Sequence, residues 1–179
     1  MSNYIVLLRG INVGGHNKLP MADLRSLLTD NGYTSVSTYI QSGNILLSSD
    51  KDSKTISTHI SGLLKNTYDY NIPVITISVT ALQQCFNDNP FLNTETNIKF
   101  LHVTFLDDVP NKKNIESLKI NLYNNDAFQI KSQFVYLHTP DGFAKTKFSN
   151  AQFEKQLSTT ATTRNWRTVT KLVELSESI

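Results

Sequence analysis

Between Tyr4 and Val79 the apolar residues follow strand, helix, strand, strand, helix and strand patterns in turn, and that order restricts the fold more than any single motif. Tyr4–Arg9, rich in Ile, Val and Leu, predicts a buried strand. Pro20 suits a first helical position, where its missing N–H costs nothing, and Met21, Leu24, Leu27 and Leu28 follow at helical spacing. Gly32 then closes the helix in a position that tolerates positive φ. Val36–Ile40 and Ile45–Ser49 flank Gln41-Ser42-Gly43-Asn44, a hairpin signal. Asp52 or Ser53 caps a second helix with the stripe Ile56, Ile60, Leu63, Leu64 and Thr67. Val74–Val79 alternates as a strand. A β-α-β-β-α-β order is the split βαβ, ferredoxin-like arrangement, with two helices on one face of an antiparallel sheet.

The second half resumes the alternation. A short helix from near Thr80 ends by Asn89-Pro90, and the polar stretch Asn93–Asn97 is the expected joint. Beyond it come strand Phe100–Leu106, helix Asn114–Leu122, and strands Ala127–Lys131 and Phe134–His138 around Ser132-Gln133. Pro140-Asp141-Gly142 makes a turn, a helix begins at Ser149 with Phe153 and Leu157 inward, and a terminal helix runs from about Thr163 to Ser176. The expected architecture is α+β: two ferredoxin-like subdomains with antiparallel sheets plus C-terminal helices, divided at residues 1–92 and 93–179 within one compact unit. No repeat of fixed period supports a duplication.

Composition narrows the function classes. One cysteine, Cys85 between Leu82 and Phe86, excludes an internal disulfide and a multi-cysteine zinc site, and its neighbours suggest a buried thiol. His16, His59, His102 and His138 fall at no metal-ligand spacing, so no metal is expected. No cofactor signature is present either. The N-terminal residues lack the basic region of a secretory signal, and no run approaches the roughly 18 apolar residues of a membrane span. The expectation is a cytoplasmic protein without a membrane partner. A net charge of only +2 does not indicate wholesale nucleic-acid electrostatics. The charge is uneven, however. From Phe143 to Lys171, Lys145, Lys147, Lys155, Arg164, Arg167 and Lys171 face Glu154 alone.

Two segments carry candidate chemistry. In Arg9–Lys18 the glycines at 10, 14 and 15 match neither G-x-G-x-x-G nor a Gly-Lys-Ser/Thr ending. Arg9 could grip a phosphate or carboxylate in two prongs, Asn12 and the amides of Gly14 and Gly15 would add neutral hydrogen bonds, and Lys18 a mobile charge. The alternative is a structural loop whose glycines satisfy positive φ and whose asparagines bond the backbone. His16 lacks a carboxylate to orient it as a base, and Ser42 lacks a base of its own. The Gln41–Asn44 turn is expected at the opposite end of the sheet from this loop. On the terminal helix, Trp166, Val169 and Val173 form an apolar stripe and read as core. Arg164, Arg167 and Lys171 repeat the spacing on a neighbouring face, either as a solvated surface or as a polyanion track. The alternating aromatics of an RNP1 motif are absent.

Three separated motifs resemble a known family. Leu7-Leu8-Arg9-Gly10-Ile11-Asn12-Val13-Gly14-Gly15, Thr38-Tyr39-Ile40-Gln41-Ser42-Gly43-Asn44, and Ala161-Thr162-Thr163-Arg164-Asn165-Trp166 with Thr168-Val169-Thr170-Lys171-Leu172 are similar to the bacterial family known as domain of unknown function 1697. The resemblance runs from Tyr4 to about Leu175 and includes Ser149-Asn150-Ala151 ahead of Phe153. One departure is Ser158-Thr159-Thr160, where relatives often place glycine after the helix, and it puts the local turn in question. The family implies no established activity. The leading expectation is a binding module for a phosphate-bearing ligand, a nucleotide or nucleic acid, using the Arg9–Lys18 loop and the C-terminal basic residues. The rivals are a small-molecule enzyme with a groove site between the halves, and a structural or oligomerising module.

Overall fold

A computed structural model describes residues 1–93 and 97–178. The chain divides into two units, Met1–Gln83 with Leu172–Ile179, and Gln84–Lys171. Of the joint expected over Asn93–Asn97, residues 94–96 lie outside the described residues.

The first unit contains β1 (Ser2–Leu8), α1 (Met21–Asp30), β2 (Thr34–Tyr39), β3 (Asn44–Ser49), α2 (Ser53–Tyr68) and β4 (Val74–Ser78). The sheet order is β2-β3-β1-β4 with every pair antiparallel. β1 is central, which explains its unbroken apolar run: Ile5 through Leu8 are fully buried on both faces. Tyr4, Val6 and Leu8 meet Ile45 and Leu47 of β3, Leu24 and Leu28 of α1, and Ile56, Ile60 and Leu64 of α2 in one core. Of the predicted α2 stripe, Leu63 is half-buried and Thr67 exposed, because the core-facing row follows Ile56, Ile60 and Leu64. Asp52, not Ser53, caps α2, its carboxylate accepting from the Thr55 amide at 2.9 Å. Pro20 stands one residue earlier than expected, in extended geometry at the N-cap of α1.

The second unit contains β5 (Leu101–Leu106), α4 (Lys112–Glu116), β6 (Ala127–Lys131), β7 (Phe134–His138), α5 (Asn150–Leu157) and β8 (Ala161–Asn165). Its sheet order, β6-β7-β5-β8, repeats that of the first unit strand for strand. Both units are therefore α+β with four-stranded antiparallel sheets, consistent with the ferredoxin-like arrangement. Phe153 and Leu157 of α5 pack with Leu106, Val135, Leu137 and Phe148. Two further helices, α3 (Val79–Asn87) and α6 (Trp166–Ser176), complete the order.

Two expectations for this half need correction. The helix read over Asn114–Leu122 stops at Glu116. Beyond it the backbone of Lys119 exchanges two hydrogen bonds with the Gln156 side chain, N–H to Oε1 at 2.7 Å and Nε2 to carbonyl at 2.8 Å. A side-chain amide acting as a strand partner outcompetes helix in an asparagine-rich stretch of modest propensity. The terminal helix also begins at Trp166 rather than Thr163, because Ala161–Asn165 pairs with β5 and closes the sheet. Thr162 and Thr163, β-branched, suit that strand. Asn165 accepts from the Thr168 amide at 2.8 Å and starts the helix. The turn before β8, where glycine was missing, keeps its left-handed geometry on Ser158 at φ 57°.

Candidate functional site

The glycine-rich loop leaves the end of β1 and is tied down at once. Leu8 N–H donates to the Gly43 carbonyl at 2.8 Å, and Arg9 N–H to the Pro73 carbonyl at 3.1 Å. The β2–β3 turn therefore lies at the same end of the sheet as this loop, contrary to expectation. The reason is simple: β1 and β3 run antiparallel as neighbours with Leu7 opposite Asn44, so the end of one is the start of the other. Gly43 has φ 75°, and a Cβ there would stand 2.6 Å from Leu8 Cβ. Only glycine fits.

Asn12 joins loop and turn. Its Nδ2 donates to the carbonyls of Leu19 and Gln41, both at 2.9 Å, while Oδ1 accepts from the Leu19 amide at 2.8 Å. Asn17 Nδ2 donates to the Gly10 carbonyl at 2.8 Å, and the Tyr70 hydroxyl to the Lys18 carbonyl at 2.7 Å. Gly14 and Gly15, with φ 59° and 80°, form the exposed tip of a tight turn closed by His16 N–H on the Val13 carbonyl. The amide functions of both asparagines are thus spent on backbone. Arg9 is half-buried, and Lys18, Gly14 and Gly15 are exposed. Asp23 occupies the first turn of α1, so that helix end already has a negative charge near it.

The basic stripe of the C-terminal segment splits. Arg164 lies in β8, only 9% exposed, and its Nη1 donates to Thr162 Oγ1 at 2.9 Å and the Thr163 carbonyl at 3.0 Å. Burial lowers its pKa to about 10. Arg167 is exposed and Lys171 half-buried on α6, so the three cations do not share one helical face. Trp166 is core, stacked on Phe86 with ring centroids 5.3 Å apart. Cys85 is buried, and desolvation pushes its thiol up to about 12, which makes it an inert thiol at neutral pH.

What the structure adds is a cavity of about 210 Å³ lined by Ile98, Lys99, His102, Asn165 and Arg167. Pairing of His102 in β5 with Asn165 in β8 brings its two cations together, Lys99 from just before β5 and Arg167 from the first turn of α6. Lys99 Nζ lies 4.9 Å from the Phe100 ring centroid. His102 is 8% exposed, stacked against Phe143 at a centroid distance of 4.2 Å. Its Nδ1 is shielded from solvent and has no hydrogen-bond partner among the described residues. Burial pulls the imidazole down to about 4, against a smaller upward pull from the Phe100 carbonyl, so it is neutral at pH 7. Sequence reading set His102 aside for want of ligand spacing and missed Lys99 and Asn165. The available signal was a histidine inside the otherwise apolar and threonine-bearing run Leu101–Leu106.

Among the described residues no three His, Cys, Asp or Glu side chains converge as a metal site, and no helix is long and apolar enough to cross a membrane. The solved structure of conserved bacterial protein SP0830 from Streptococcus pneumoniae is similar, with a TM-score of 0.68, 22% identity and 98% of each chain covered, which speaks for the fold alone. No curated protein matches the chain. The family model described as protein of unknown function (DUF1697) matches residues 1–136, a stretch that includes the Arg9–Lys18 loop, the Gln41–Asn44 turn and β5 with His102; the chain belongs to that family.

Proposed function

We propose that the protein binds a small phosphate-bearing ligand, with the Lys99–Arg167 cavity as its main site. One observation carries this reading: two cationic side chains line a single cavity whose described lining holds no carboxylate. An anion there would meet a planar guanidinium and a mobile ammonium beside the start of α6, where the helix dipole also favours negative charge. Loss of Arg164 to β8 shortens the basic track, which favours a nucleotide or sugar phosphate over a nucleic-acid strand. The Arg9–Lys18 loop, with the Gly14 and Gly15 amides, is kept as a second and more exposed place for an anion. Lys171, beyond Arg167 on α6, would add to the field around the cavity. Ferredoxin-like units acting in the cytoplasm are part of the same proposal, in keeping with a single buried cysteine.

Calorimetric titration with inorganic phosphate and with adenosine monophosphate at two salt concentrations tests it. Binding that weakens with salt, and by about tenfold or more in Arg167→Ala, is expected for a charge-assisted contact. No binding of either compound even at low salt overturns the proposal.

A further inference from the structure

Among the polar residues lining the cavity, Lys99 and Arg167 carry charge and Asn165 accepts from the Thr168 amide, which leaves His102. A neutral imidazole carries one N–H donor and one lone-pair nitrogen. Nδ1 is buried and without a partner among the described residues, on a residue that lines the cavity. A group left so is costly unless something satisfies it. The ring face is already covered by Phe143, so only the ring edge is available for polar contact. Next to it stand two cations that suit a phosphate, and Asn165, whose Oδ1 is committed to the Thr168 amide.

We propose that His102 is a specificity-determining residue, and that the ligand is a phosphate ester of a polyhydroxy compound whose hydroxyl donates to the His102 imidazole while its phosphate meets Lys99 and Arg167. This deepens the phosphate-binding reading and rests on it. Two features argue for a hydroxyl rather than a second anionic group at this position. The Phe100 carbonyl draws the N–H of the neutral imidazole, which leaves a lone pair that an anion cannot use and to which a hydroxyl donates directly. Size points the same way, because about 210 Å³ lies below the usual range of pockets for drug-sized ligands, and suits a phosphorylated sugar better than a whole dinucleotide. The sugar phosphate can be free or the ribose phosphate end of a nucleotide; the shared chemistry is the same.

The test titrates the full chain with methyl phosphate, ribose 5-phosphate and adenosine monophosphate, in the unaltered protein and in His102→Phe and His102→Gln. Methyl phosphate carries the charge without hydroxyls. The expected result is ribose 5-phosphate binding at least about tenfold tighter than methyl phosphate, the scale on which a site built for a hydroxyl rejects its absence. That ratio should collapse in His102→Phe and survive in His102→Gln, which keeps an acceptor. Equal affinity for methyl phosphate and ribose 5-phosphate in the unaltered protein overturns the role of His102 and leaves the phosphate site standing, even where a variant fails to fold. An undiminished ratio in a folded His102→Phe protein also overturns it. Failure of all three compounds to bind removes the phosphate reading itself. Tighter binding of adenosine monophosphate than of ribose 5-phosphate assigns the nucleotide source; equal or weaker binding assigns the free sugar phosphate.

Discussion

The two units repeat one strand order but treat their polar groups in opposite ways. In the first, the glycine-rich loop turns its asparagines inward, so that one Asn12 side chain satisfies three backbone groups from Leu19 and Gln41. In the second, an inconspicuous strand holds a buried imidazole with a nitrogen that no described residue satisfies, beside two cations. The conspicuous motif is mostly backbone engineering. The inconspicuous residues gather two cations and an imidazole around one cavity. A dense run of glycine and asparagine reports demanding φ/ψ values first, and chemistry only where side chains are left over.

The largest effect expected is at the clamp. Gly43→Ala forces a Cβ into Leu8 at a backbone conformation that disfavours it, and should cost about 3 kcal/mol in denaturant unfolding. A cost near zero would mean that loop and turn are not locked together. Asn12→Ala should cost about 2 kcal/mol, because it strands the amide and carbonyl of Leu19 and the carbonyl of Gln41. Affinity for inorganic phosphate should stay the same in that variant. A drop in phosphate affinity without lost stability would reverse the comparison and make the loop the ligand site.

The second unit has a pH signature. His102 titrates near its ordinary value when unfolded and at about 4 when folded, so between those values the unfolded chain binds the extra proton. Its contribution is therefore present above about pH 6.5 and is lost as pH falls toward 4. Thermal melts of His102→Phe should show a flatter acid limb than the unaltered protein. Identical limbs would mean that the imidazole is not held neutral. The smallest effect is at Ser158, where glycine relieves a left-handed serine outside both the loop and the His102 cavity; Ser158→Gly should stabilise by about 0.5–1 kcal/mol in the same melts.

Much of the first unit was legible in sequence because each element agrees with its local pattern. β1 is apolar throughout, α2 carries its stripe behind an Asp52 cap, and Gly43 marks the turn. Family membership was legible from three spaced motifs. β8 was not, because Thr162 and Thr163 directly precede the helical spacing of Trp166, Val169 and Val173, and strand pairing to β5 is non-local. The shared end of loop and turn follows from the antiparallel β1–β3 pairing, opposite to the sequence expectation. The cavity was out of reach of any spacing rule, since Lys99 and Arg167 meet only through the register of His102 against Asn165.

The exchange between Gln156 and the Lys119 backbone has a dynamic consequence. Lys119 lies in an exposed stretch with no regular secondary structure, and such amides normally exchange with solvent deuterium as fast as the loop fluctuates. Here the acceptor sits on a helix anchored by Phe153 and Leu157, so deuterium uptake at Lys119 should keep pace with the opening of α5. A segment that looks loose in outline would then report, through a single slow amide, on the cooperative unfolding of the helix beside it.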